Sequence, residues 1–175
     1  EYGGGIYAGA LALELSSVTI SGHTALAGGG VFASGSTVTL SSATFSDNEA
    51  VESGGGLYST GEIDATSSTF TSNIAGSEGA GIYVSGADVR LQSVSLQDNT
   101  ASGAGGGILV RGASLTISVL TAQGNSAVQG GGVCVIGSSD PDAQVAISYG
   151  TFTGNAASSS GGGLYVDSTW TVGVW

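Results

Sequence analysis

The stretch VSLQDNTASGAGGGIL, residues 94–109, decides the fold. Val94 and Leu96 alternate with Ser95 and Gln97, the period-two pattern of a strand with one buried face. Asp98 and Asn99 then interrupt it with turn chemistry. After Ala101 comes Gly105-Gly106-Gly107, followed at once by the aliphatic Ile108. Working outward, the glycine cluster recurs at Gly3-Gly4-Gly5, Gly28-Gly29-Gly30, Gly54-Gly55-Gly56, Gly79-Ala80-Gly81, Gly130-Gly131-Gly132 and Gly161-Gly162-Gly163. Successive spacings are 25, 26, 25, 26, 25 and 31 residues. Every cluster is followed by an aliphatic residue (Ile6, Val31, Leu57, Ile82, Ile108, Val133, Leu164), a column that predicts burial. A fixed period of this length is the mark of a repeat architecture.

The Asn99 signature recurs with the same period. Phe45-Ser46-Asp47-Asn48-Glu49-Ala50, Phe70-Thr71-Ser72-Asn73-Ile74-Ala75, Ala122-Gln123-Gly124-Asn125-Ser126-Ala127 and Phe152-Thr153-Gly154-Asn155-Ala156-Ala157 match it. The first copy, Ile20-Ser21-Gly22-His23-Thr24-Ala25, carries His in the Asn position. Between these landmarks Val38-x-Leu40, Val89-x-Leu91, Leu115-x-Ile117 and Val145-x-Ile147 read as one strand. Val18-x-Ile20, Ala43-x-Phe45, Val94-x-Leu96 and Leu120-x-Ala122 read as another. No stretch offers an amphipathic helical stripe with caps. In the second of these strands the two inward positions trade size: Ala43 with Phe45, Ser68 with Phe70, Leu120 with Ala122, Gly150 with Phe152. That is expected where both fill one narrow interior at constant volume. About seven rungs of three short strands, stacked in parallel roughly 4.8 Å apart, would make a rod roughly 30–35 Å long.

Composition narrows the function classes. With 33 Gly the chain could be a flexible linker, but 41% hydrophobic residues argue for a packed core. Net charge is −11, and Arg90 and Arg111 are the only basic side chains besides His23. Counterion release from phosphates needs clustered Lys and Arg, so no nucleic-acid partner is expected. Anionic lipid surfaces are disfavoured for the same reason. No apolar run approaches the roughly 20 residues of a membrane span. The lone Cys134 excludes an internal disulfide. The chain contains no Met and begins and ends inside the repeat, stopping at Trp170-Thr171-Val172-Gly173-Val174-Trp175. It is therefore expected to be a mature product or an excerpt of a longer solenoid, with further coils or subunits abutting both ends, because bare strand edges invite association.

The pair Phe-x-x-Asn-x-Ala and Gly-Gly-(Gly/Ala)-(Ile/Leu/Val)-(Tyr/Phe) resembles the repeat of the polymorphic outer membrane proteins. The same repeat builds other surface proteins with pectate-lyase-like β-helices. It departs from that pattern in having Gly rather than Ala at the third position of most glycine clusters. It also carries His23, Leu109 and Cys134 in normally Asn or aromatic columns. The resemblance implies an all-β, right-handed parallel β-helix, here one domain over residues 1–175, and an extracellular or cell-surface module, often adhesive.

Each candidate site has a structural and a functional reading. His23, Asn48, Asn73, Asn99, Asn125 and Asn155 are expected to form a structural Asn ladder: Asn tolerates left-handed backbone at a turn, and stacked amides bond between coils. N-glycosylation is excluded, because the residue two after each of these Asn is Ala. Tyr7, Phe32, Tyr58, Tyr83, Leu109, Cys134 and Tyr165 form the next column after the aliphatic one. Exposed, its aromatics would contact sugar rings or a partner surface; near a corner, they would pack. Thr19, Thr44, Thr69, Ser95, Thr121 and Thr151 form an unbroken hydroxyl column, as on an ice-binding face or any solvated sheet.

Enzymatic readings need clustered carboxylates. Coil alignment places Asp64 beside Arg90 and Glu62 beside Asp88, leaves Arg111 with no acidic neighbour in its column, and gathers no three acids around a basic partner. The longer sixth repeat carries Asp140-Pro141-Asp142, a surface loop with too few carboxylates for a strong Ca²⁺ site. No catalytic residue, metal or cofactor is assigned. The leading reading is a non-catalytic structural or adhesive surface module, alone or in a fibre, whose partners are adjacent coils or subunits, glycans or another surface protein. The alternatives are a pectin-cleaving lyase or hydrolase, which a charged cluster in a groove would favour, and an ice- or glycan-binding module, which exposed Tyr7, Tyr58 and Tyr83 would favour.

Overall fold

The computed structural model describes residues 1–137, 142–167 and, for the backbone alone, 171–174. Among them there are strands and turns but no helix. The first sheet stacks Ile6–Gly9, Val31–Ser34, Leu57–Ser59, Ile82–Ser85, Ile108–Arg111, Val133–Ile136 and Leu164–Val166, all parallel. Six full turns separate the first of these seven strands from the last. The third sheet stacks Thr24–Ala25, Glu49–Ala50, Ile74–Ala75, Thr100–Ala101, Ser126–Gln129 and Ala156–Ser160. The chain is thus a parallel β-solenoid, each coil bonded to the next through backbone pairs such as Val31 N–H to Gly56 O at 2.9 Å.

The second sheet changes character along the rod. In the first three coils its two arms are separate strands: Leu13–Ser16 and Thr19–Ser21, Val38–Ser41 and Thr44–Ser46, Ile63–Thr66 and Thr69–Thr71. In the next three they run on as Val89–Gln97, Leu115–Gln123 and Gln144–Thr153. Both forms bend at a left-handed residue: Ser17, Ser42, Ser67, Ser93, Val119 or Tyr149, with φ from 51° to 65°. The bend shifts the inward face by one residue, so that Leu91 and Val94 both point in while Gln92 and Ser93 point out. Serine is a tolerable occupant, because small polar side chains can bond locally there. Val119 is not: a β-branched side chain at φ +65° is an outlier. Its side chain is 44% exposed, so packing does not require it. Val119→Asn is expected to raise stability by about 1 kcal/mol, read as a higher Tm in thermal denaturation.

The interior is a continuous apolar column. Val31, Leu57, Ile82, Ile108 and Val133 are fully buried, as are Val38, Ile63, Val89 and Leu115 from the second sheet. Phe45 and Phe70 stack with centroids 4.6 Å apart at 7°. Their small partners Ala43 and Ser68 are buried beside them, whereas the coils without Phe pair Val94 with Leu96 and Leu120 with Ala122. A Cβ added to Gly150 would come within 3.0 Å of the Phe152 ring. Ser68 also closes the bend, its hydroxyl donating to Thr66 O (3.0 Å) and accepting from Ala43 N–H (3.2 Å).

The glycine clusters are a packing requirement more than a flexible one. Only the first of each needs the left-handed region, as Gly28 does at φ +64°. The second and third lie where neighbouring coils press together, and only the coil of Ala80, itself fully buried, carries a Cβ at the second position. A Cβ on Gly29 would stand 2.4 Å from Glu49 O and 2.5 Å from Gly55 O, and one on Gly30 would stand 2.6 Å from Gly56 O.

Candidate functional site

The Asn column lies inside the corner between the second and third sheets. Asn48, Asn73, Asn99 and Asn125 are fully buried. Each of the three links from Asn48 to Asn125 is the same: the lower Asn donates from both N–H and Nδ2 to the next Asn Oδ1. For Asn73 and Asn99 both distances are 3.0 and 2.9 Å. Nδ2 also donates to a carbonyl one coil back, as Asn99 does to Phe70 O at 2.9 Å. Half-buried Asn155 ends the described run, receiving both donors of Asn125. Two details differ from the sequence reading. The left-handed residue is not the Asn but its predecessor: Gly22, Asp47, Ser72, Asp98, Gly124 and Gly154. The reversed backbone at that point turns the following Asn inward. His23 joins the ladder through its backbone N–H, which donates to Asn48 Oδ1 at 3.1 Å, while its imidazole edge lies over Gly5.

The aromatic column stands on the outer side of the first sheet. Tyr7, Phe32, Tyr58 and Tyr83 stack in series, with centroids 5.6, 4.7 and 4.8 Å apart and interplanar angles of 8°, 9° and 14°. Tyr2 tilts against Phe32 at 4.8 Å. Tyr7 is 61% exposed, whereas Phe32, Tyr58, Tyr83 and Tyr165 are half-buried. Farther along, Leu109 and Cys134 are fully covered, packed with Ala104, Tyr83, Ile136 and Tyr165. The first glycine of each cluster lies against this column, as Gly105 does against Leu109 and Gly130 against Cys134, so short side chains are covered while the rings stay partly exposed. Stacking also decides what the rings can offer. Their π faces are turned on each other, and the solvent sees edges and phenol oxygens. A sugar platform needs an open face, which the inner rings of this stack do not present. Burial, with help from Glu78 and against Arg111, pushes the Cys134 thiol up to about 12, so it stays protonated and inert.

The ionic groups depart furthest from coil-by-coil alignment. Arg111, which has no acidic neighbour in its own column, reaches down a coil to another, its Nη2 donating to Glu78 Oε1 and Oε2 at 2.7 and 2.9 Å. Arg90 bonds Glu62 rather than its register partner Asp64. Glu62 first, then Asp88 and Asp64, favour the charged guanidinium; Asp64 is its register partner on the adjacent coil and Asp88 lies two residues before it in the chain. Alignment missed both because an Arg side chain spans a coil diagonally. This group lies at the surface, with Glu62 half-buried, and Asp88 Oδ1 also accepts from Ser114 N–H at 3.0 Å. Among the described residues no group of three or more His, Cys, Asp and Glu could hold a metal ion. Asp140 and Pro141 of the long repeat, and Trp170 and Trp175 near the end, lie outside the described residues.

The hydroxyl column is half-packed. Thr44, Thr69, Ser95 and Thr121 are half-buried in one register. Its closure covers the Ser95 hydroxyl, the buried side-chain oxygen without a hydrogen-bond partner among the described residues.

Residues 2–120 match the family model of the right handed beta helix region. The chain belongs to that family. The right-handed β-helix carries a second match at residues 150–167, to the Chlamydia polymorphic membrane protein repeat. Those residues hold one complete unit, from Phe152 and Asn155 through Gly161-Gly162-Gly163 to Leu164 and Tyr165. The repeat suggests a cell-surface or outer-membrane protein. No curated protein and no solved structure gives a significant match.

Proposed function

We propose that this β-helix is a non-catalytic structural or adhesive module of an extracellular or cell-surface protein. The observation that carries the reading is how the repeated signature is spent. The Asn, the Ala and the glycine cluster are buried and bonded from coil to coil, so the repetition builds a rod and leaves its outer columns to vary. The match to the polymorphic membrane protein repeat supports a surface setting. A rod of this kind holds a binding surface away from its anchor.

A polysaccharide lyase or hydrolase is the second reading, favoured by Arg90 among Glu62, Asp64 and Asp88. Against it stands the exposure of that group, since catalytic carboxylates are tuned by burial or close pairing. Incubation with polygalacturonate and alginate, with and without Ca²⁺, separates the two. No unsaturated or reducing ends are expected. Their appearance in the wild type and disappearance in Glu62→Gln or Asp88→Asn would replace the structural reading with the enzymatic one.

A further inference from the structure

Of the six tyrosines in the chain, one pair is stacked. Tyr58 and Tyr83 are register partners on parallel strands of the first sheet, with ring centroids 4.8 Å apart and planes 14° from parallel. No other two tyrosines of the described residues stack. Tyr7 lies on Phe32, which has no phenol, and Tyr2 tilts against the same ring. The register partner of Tyr165 is Cys134, and beyond Tyr83 the column continues with Leu109. Tyr149 projects from the bend of the second sheet, 78% exposed, in line with Val119. Both Tyr58 and Tyr83 are half-buried, so an oxidant in the solvent can reach them.

We propose that Tyr58 and Tyr83 form a dityrosine site, where a haem peroxidase acting with hydrogen peroxide joins the two rings and staples the third coil to the fourth. Each phenol gives up one electron and its O–H proton, leaving a phenoxyl radical. The two radicals pair through the ring carbons ortho to oxygen, forming one C–C bond. The hydrogens displaced from those carbons move to the oxygens and restore both phenols. The protein loses two hydrogens in all, and the two electrons and two protons reduce one hydrogen peroxide to two waters. Register supplies the orientation: on parallel strands one coil apart, like edges of the two rings point the same way. Holding both reactants in place makes the second radical's partner the ring already beside it. Encounter between copies is the competing route, and a net charge of −11 opposes it. The proposal stands on the stacked pair and does not depend on the surface-module reading.

The test treats the dilute 175-residue chain with horseradish peroxidase and hydrogen peroxide, and reads dityrosine fluorescence, intact mass and gel mobility. The expected product is a fluorescent monomer lighter by two hydrogens. After denaturation, cleavage at Glu52, Glu62, Glu78 and Arg90 is expected to release residues 53–62 and 79–90 as one linked species. Tyr58→Phe and Tyr83→Phe keep the stacked ring and remove one phenol, and each is expected to lower the monomer's dityrosine yield at least about tenfold. Phe32 stacks on Tyr58 at 4.7 Å and 9°, so adding Phe32→Tyr to the Tyr83→Phe variant is expected to restore it. Tyr149→Phe is expected to reduce crosslinked dimers alone. The stapled monomer is expected to melt roughly 5–10 °C higher, because the new bond closes a loop in the unfolded chain. Monomer fluorescence unchanged in Tyr58→Phe and Tyr83→Phe would overturn the proposal. So would crosslinked dimers without a stapled monomer, or a linked species lacking either 53–62 or 79–90. The restored variant reports separately if a single substitution disturbs the fold.

Discussion

Asn99→Ala is expected to cost about 3–5 kcal/mol and to lower Tm by well over ten degrees, or to prevent folding of the central coils. A single unpaired turn group would cost roughly 1–3 kcal/mol. The ladder makes the loss larger. Asn99 Nδ2 serves Phe70 O and Asn125 Oδ1, both at 2.9 Å, while its Oδ1 receives Asn73 N–H and Nδ2 at 3.0 and 2.9 Å. Truncation takes the acceptor from the Asn73 N–H and the side-chain donor from the Phe70 carbonyl, and leaves Asn73 Nδ2 with Phe45 O alone, in a buried site. Asn99→Asp is informative beside it: the acceptor role survives, but the donor is lost and a charge is buried. Urea unfolding followed by circular dichroism measures both. An Asn99→Ala protein with the wild-type midpoint would show that the stacked amides contribute nothing net.

Gly29→Ala is expected to cost about 3 kcal/mol or more, which is large for one methyl group. The added Cβ would meet Glu49 O at 2.4 Å and Gly55 O at 2.5 Å, and both are backbone atoms of the neighbouring coil. Neither can rotate away, so two coils must separate and the Gly29 N–H to Gly54 O bond at 3.0 Å must lengthen. Gly22→Ala is the internal control. Gly22 has φ +71° but nothing within 4 Å of its Cβ position, so only the left-handed backbone is penalised, at about 1–2 kcal/mol. Chemical denaturation of the two variants side by side tests the contrast. Equal losses would mean that backbone conformation, and not contact between coils, explains the glycine clusters.

The parallel coil, its period, the buried aliphatic column after each glycine cluster and the size exchange between Ala43 and Phe45 were all legible in the chain. Stacking identical coils makes sequence period and spatial neighbour the same thing, so alignment alone brings Ile82 onto Ile108. What alignment could not supply was direction across or out of the stack. It placed the left-handed backbone one residue late, on Asn instead of Asp47 or Asp98, because only the folded corner shows which residue reverses. It separated Arg111 from Glu78 and paired Arg90 with Asp64 in place of Glu62, because long side chains cross coils diagonally. It could not choose between packed and exposed for Tyr7, Phe32, Tyr58 and Tyr83. That choice depends on how the first glycine of each cluster lies against the column and on ring planes, and the rings proved to face one another. Local pattern and period therefore determined the scaffold, since backbone pairing between coils follows from them. The surface chemistry was decided by tertiary structure, since it depends on where flexible side chains meet after the coils are stacked.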